Sequence, residues 1–264
     1  MNFWFGRWQN KKGTGFETRF LPRFPRFTAV LIVSFMLVFS ATDPGRAQIT
    51  LTPNSGTISL SQLIPPNSVS IQIGDKLFSD FQYLPGNSAS DPADNLPASA
   101  ITVSALSNFF GFGISFSGPF AAIGDITKDV VFKYSVTVTD PARAISDVHL
   151  GYNGSNMGSG FSHVTEQVFL DGFGGQQIGT LNVMNPGPTA PVFQDVMTLV
   201  QPLEKVYIQK DIIFGGGGPG DLNQALWSIV DQTFSQVPEP STLALVAGGV
   251  GLIVRALRRR ITPS

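Results

Sequence analysis

The stretch Val130–Thr139 reads VVFKYSVTVT, and it decides the fold. Phe132, Tyr134, Val136 and Val138 fall in one phase, with Lys133, Ser135 and Thr137 in the other. Successive side chains of a strand point to opposite faces, so this alternation predicts a half-buried β-strand. The reading extends outward. Val69, Ile71 and Ile73 are in phase within Ser68–Ile73, and Phe112, Ile114 and Phe116 alternate with Gly113, Ser115 and Ser117. Ile101–Leu106, Val164–Leu170, Gln177–Val183, Val192–Val200 and Val206–Phe214 continue it, each bounded by Gly, Pro, Asn or Asp turn formers. Thr57–Leu63 suits one or two helical turns, and Ala225–Phe234 (ALWSIVDQTF) fits either period but allows a strand. No run of about 15 residues keeps a helical period. The expectation is an all-β chain of about nine or ten strands forming an antiparallel β-sandwich, with a jelly-roll-like winding among its options.

The 264 residues include no Cys and two His, with a formal net charge of -1. That excludes disulfides, thiolate metal sites, a cysteine nucleophile and a three-His zinc site. The charges are unevenly placed. Residues 1–47 hold seven basic residues against Glu17 and Asp43, and the last 24 residues hold Arg255, Arg258, Arg259 and Arg260 with no acid. Residues 48–240 keep 6 basic and 16 acidic residues, a net charge of −10. Two basic ends, each beside an apolar run, flank an acidic middle long enough to bury one core.

At the N-terminal end, the apolar run Ala29–Ala41 follows basic residues and precedes Gly45-Arg46-Ala47. It is shorter than the roughly 20 residues of a spanning helix, and the order is that of a secretory signal. Cleavage is expected after Ala47, which assigns 1–47 to a signal with a long basic leader and 48–236 to the exported domain. At the other end, the uncharged stretch Ser241–Val254 contains Leu243, Leu245, Val246, Val250, Leu252, Ile253 and Val254. These 14 residues make a helix of about 21 Å, short of a hydrocarbon core of roughly 30 Å unless Arg255 snorkels. The terminal arginines are expected to stay cytoplasmic. Pro238-Glu239-Pro240 precedes this helix, and its prolines hold the backbone extended.

The order of short motif, weak apolar helix and basic end resembles the PEP-CTERM sorting signal of bacterial surface and secreted proteins. Val237-Pro238-Glu239-Pro240-Ser241, the Leu/Val/Gly-rich helix and the terminal arginines carry the resemblance over 237–264. It implies an exosortase partner, a membrane-embedded cysteine protease or transpeptidase that removes the tail, with Glu239 as its specificity element. It also implies a transient membrane anchor, then the cell surface or extracellular matrix. Ile73-Gly74-Asp75-Lys76-Leu77-Phe78-Ser79-Asp80-Phe81 and Lys210-Asp211-Ile212 look like stretches that recur in ectodomains of such proteins.

Within the acidic segment, Glu166 falls in step with Val164 and Val168 on the core face, so a Lys or a backbone amide is expected to pair with it. A solvent-facing position is expected for His149. Asp75, Asp80, Asp125, Asp129, Asp140 and Asp147 are expected mostly to flank strands, where Asp initiates turns. Gly215–Gly220 lacks the Lys-Ser/Thr of a phosphate loop and reads as a flexible turn, and Asp91–Asn95 lacks EF-hand spacing. Asn153-Gly154-Ser155 reads as a glycosylation-type triplet in a turn, while Phe109, Phe110 and Phe112 are expected in the core. No catalytic residue, metal ligand, cofactor or nucleic-acid partner is assigned, and a structural or adhesive, non-enzymatic role is expected, with extracellular polysaccharide as a possible contact. A carbohydrate-binding sandwich would instead show an exposed aromatic row on one sheet face. A hydrolase would show a cleft with two carboxylates, or a His within hydrogen-bond reach of a Ser or Asp.

Overall fold

Alternation of apolar and polar residues along thirteen strands builds two sheets in the computed structural model, which describes residues 47–85, 96–186, 190–219 and 223–238. The strands are β1 (Gln48–Thr50), β2 (Thr57–Ser59), β3 (Ser70–Ile73), β4 (Lys76–Pro85), β5 (Thr102–Asn108), β6 (Gly111–Ile123) and β7 (Thr127–Val138). They continue with β8 (Arg143–Met157), β9 (Phe161–Phe169), β10 (Gln177–Asn185), β11 (Gln194–Leu203), β12 (Lys205–Gly215) and β13 (Gln224–Pro238). One helical turn, α1 (Leu60–Leu63), follows β2, and a 3₁₀ turn covers Ala98–Ala100.

The seven-stranded sheet runs β1-β3-β4-β7-β12-β9-β10, and the six-stranded sheet runs β11-β8-β13-β6-β5-β2. All ladders are antiparallel except β1 with β3. From β6 onward the pairing is nested: β6 with β13, β7 with β12, β8 with β11 and β9 with β10. A long hairpin folded over in this way gives a jelly-roll winding. The inner faces meet in one core that includes Phe78, Phe116, Phe132, Tyr134, Phe214, Trp227 and Phe234. In β7 the even-numbered residues from Val130 to Val138 are buried, as their phase predicts.

The sequence reading falls short where alternation breaks. Lys76–Pro85 is a ten-residue strand, yet its buried aromatics Phe78 and Phe81 are three residues apart. The register slips between Ser79 and Gln82, and Asp80 has φ 59, so a bulge hides the period of two. There the Ser135 hydroxyl donates to Asp80 Oδ2 at 2.7 Å. Asn153-Gly154-Ser155 lies inside β8 and pairs with β13, so it is not a turn. Thr57–Leu63 divides into β2 and α1, and Ala225–Phe234 belongs wholly to β13.

The signal segment Ala29–Ala41, the Asp91–Asn95 loop, Glu239, Pro240, the apolar stretch 241–254 and the arginines at 255 and 258–260 lie outside the described residues. Among the described residues no helix is long and apolar enough to cross a membrane.

Candidate functional site

The C-terminal end of β13 is woven into the fold. The β6 side of the strand ends at Phe234, but pairing with β8 continues to Val237 opposite Ala144 and Pro238 opposite Arg143. Proline is tolerated there because only one ladder remains and the strand is ending. Gln236 reaches out of β13 and its Nε2 donates to Asp75 Oδ2 in the β3–β4 turn. From the other side the buried Lys76 donates to Asp75 Oδ1 at 2.8 Å. Partial burial opposes the Asp75 charge, but the hydrogen bonds from Gln236 and Lys76 outweigh it and hold the carboxyl below its usual pKa. Burial pushes the Lys76 ammonium down, and Asp75 partly restores it. Gly74 has φ +58, and the ring of Phe112 occupies the place a Cβ would take. The Gly74-Asp75-Lys76 turn is therefore a clasp on the end of β13. At the opposite terminus Ala47 is exposed, and its carbonyl accepts from Ser70 immediately before β1 begins.

Two further groups lie on the outer faces. On the six-stranded sheet, His149 Nε2 is 2.6 Å from Asp147 Oδ1 and 3.0 Å from Ser235 Oγ. This brings a His within reach of a Ser and an Asp, but both use one ring nitrogen, while Nδ1 is buried without a partner. A nucleophile–base–acid relay needs the two nitrogens to serve different partners. The Ser235 hydroxyl donates instead to the Phe110 carbonyl at 2.9 Å. On the seven-stranded sheet, Asp129 of β7 is a diagonal neighbour of Asp211 of β12, whose direct partner in the ladder is Val131. Burial first, then the neighbouring carboxyl of Asp211, push the Asp129 pKa up to about 6. Farther along this face, Phe173 meets Tyr207 edge-on at 5.4 Å, and Gln209 donates to Gln167 at 3.3 Å.

Residues 236–260 match the family model described as the PEP-CTERM protein-sorting motif. The chain carries a PEP-CTERM sorting motif. Its first three residues, Gln236, Val237 and Pro238, are the last three of β13. No curated protein matches the chain. Among solved structures it is similar to the enzymatically active domain of bacteriophage CBA120 tailspike protein 4, at 10% identity and TM-score 0.28, covering 60% of this chain and 20% of that one. It is also similar to the Gap123 glycosylation-associated protein complex of Streptococcus agalactiae, at 10% identity and TM-score 0.23, covering 59% and 45%. A cellulase derived from Cel12A of Rhodothermus marinus matches at 12% identity and TM-score 0.21, covering 61% and 100%. The chain thus spans less than half the length of the first two.

Among the described residues, Pro238 is the one assigned to PEP-CTERM sorting, and it is the last residue of β13. Glu166 is fully buried and paired with Lys210, the kind of partner its phase demanded. His149 is not solvent-facing: it is largely covered, and Phe110 stacks on it at 4.2 Å. Phe109 and Phe110 are not in the core. They form the tip of the β5–β6 hairpin, where Phe110 turns onto His149 and Phe109 is left 97% exposed. Phe112, back in the strand, does pack on the core. Asp80, Asp129 and Asp147 lie within strands rather than beside them. Asp140 does initiate a turn, accepting from the Ala142 amide. Among the described residues no group of three or more His, Asp or Glu is placed to hold a metal.

Nothing in local sequence order names Gln236, Gln232 and Lys210 as partners of Asp75 and Glu166. A usable signal existed for Lys210, which sits in the apolar phase of Ile208, Ile212 and Phe214.

Proposed function

We propose that the chain is an exported bacterial envelope protein whose acidic jelly-roll is structural or adhesive rather than enzymatic. It is delivered by an N-terminal signal cleaved after Ala47 and held briefly by the apolar stretch 241–254 with its arginines cytoplasmic. An exosortase then processes it at Pro238-Glu239-Pro240 and frees it to the surface or extracellular matrix. The observation that carries the reading is the PEP-CTERM match over 236–260, which begins inside the last strand of the domain. Short motif, apolar stretch and arginines follow with no linker between them and the fold. The matched segment thus starts within the sheet itself.

A second reading rests on the seven-stranded sheet. Tyr207 and Phe173, with Gln209 and Gln167 beside them, join aromatic faces to amide donors, the chemistry that engages sugars. They form a pair and not a row, so the reading is weaker.

Fractionation of tagged protein, with and without Pro238, Glu239 and Pro240 replaced by Ala, tests the first reading. The variant is expected to remain in the membrane with an uncut tail; release equal to wild type overturns it. A glycan array on the processed protein tests the second.

A further inference from the structure

Between the two sheets lie three polar side chains that sorting does not use. Lys210 of β12, Glu166 of β9 and Gln232 of β13 are each fully buried. Lys210 stands opposite Glu166 in the β12–β9 ladder, where facing side chains lie close. Gln232 reaches toward them from the other sheet. The Lys210 Nζ donates to Glu166 Oε2 and to Gln232 Oε1. Glu166 Oε1 and Gln232 Nε2 are buried without a well-formed hydrogen bond, although the amide lies near enough to lower the Glu166 pKa.

The surroundings exclude water. Tyr134, fully buried on the neighbouring strand β7, is close enough to feel the Glu166 charge, and it packs against Phe78, Phe81 and Phe116. Burial pushes Glu166 up and Lys210 down, with their mutual attraction opposing both shifts. Both directions favour a proton on the carboxyl and a free amine on the lysine, which is the nucleophilic form.

We propose that Lys210 and Gln232 are joined by an intramolecular isopeptide bond, formed with Glu166 as the proton carrier. Glu166 accepts a proton from the Lys210 ammonium. The Nζ electron pair attacks Gln232 Cδ, the carbon of the carbonyl that Nζ already contacts, and a tetrahedral centre forms. The Cδ–Nε2 bond then breaks and its electron pair leaves with Nε2. Two protons pass from Nζ to Nε2 through Glu166, so the nitrogen departs as ammonium and Glu166 ends ionised, as it began. Nothing is oxidised or reduced, and no co-reactant is consumed. Glu166 itself is not the acceptor, because it is needed to carry the protons from Nζ to Nε2. The bond would tie the seven-stranded sheet to the six-stranded sheet. A chain without cysteine has no disulfide with which to do this.

The test is peptide mapping of the full-length protein expressed in its wild-type form. Cleavage before aspartates separates the peptide that ends at Lys210 from the one that begins at Asp231. The expected result is one joined species, lighter than the two peptides together by the mass of one ammonia. Two separate peptides in full yield overturn the proposal. So does Lys210 joined to the Glu166 peptide with loss of water. Glu166→Gln, nearly the same shape, is expected to abolish the joined species while leaving the strand signal in circular dichroism intact. A joined species persisting in that variant overturns the role of Glu166. Should the variant fail to fold, the wild-type map alone decides the bond.

Discussion

Asp129 is the residue most open to a pH experiment. The Asp129 carboxyl is raised from its ordinary 3.8 to about 6, so the folded state holds a proton that the unfolded chain has already released. Its contribution is therefore full below about pH 4 and is lost as pH rises through about 6. Asp129→Asn should remove this loss and stabilise the protein at pH 7 by on the order of 1 kcal/mol, a figure reduced for the partial exposure of the site. Chemical denaturation at pH 4 and pH 7 checks it: the variant should show the smaller difference between the two. Gly113 gives a steric prediction at the same scale. A Cβ there would overlap the Gln232 carbonyl oxygen across the β6–β13 ladder. Gly113→Ala should therefore destabilise by about 3 kcal/mol or more, read from the denaturation midpoint. Neither effect was legible in the sequence. Alternation placed Gly113 opposite the Phe112–Phe116 phase, but the strand that crosses it is more than a hundred residues away.

The clasp on β13 belongs to the scale of elements. Gln236→Ala removes the hydrogen bond that joins the end of β13 to the β3–β4 turn, and should cost about 1–2 kcal/mol because Asp75 Oδ2 loses this side-chain donor. The pH dependence runs opposite to that of Asp129. The Asp75 pKa is depressed, so its contribution is present above its ordinary value of 3.8 and is lost as pH falls through the lower folded value. Gln236→Ala should therefore lose less stability on acidification than wild type, measured by thermal unfolding at a series of acidic pH values. The clasp gives physical content to the Ile73–Phe81 stretch. Gly74 makes the turn, Asp75 and Lys76 fix it, and Phe78 and Phe81 enter the core on either side of the bulge at Asp80. Sequence alone marked the stretch as unusual but could not name its partner. Gln236 reads as an ordinary polar residue until β8 and β13 are paired.

At the scale of the whole molecule, charge separates the precursor from its product. The full chain has a sequence pI near 6.1, and the acidic middle carries −10 once both basic ends are gone. Isoelectric focusing should place the processed form clearly below the precursor, and cells whose motif is replaced by Ala should accumulate the higher-pI species. The sequence by itself determined this charge division, the strand character of Val130–Thr139, and the sorting motif, because each is written in local order: a period of two, a run of like charge, a short peptide beside an apolar stretch. It also placed Glu166 on the core side with a demand for a partner. Only the tertiary structure decided which partner answers. Lys210 and Gln232 meet Glu166 because β12 pairs with β9 while β13 crosses from the other sheet. The nested pairing of β6 to β13 likewise exists only in three dimensions. Hydrogen-bonded ladders join residues far apart in the chain, and local alternation specifies a face but never a neighbour.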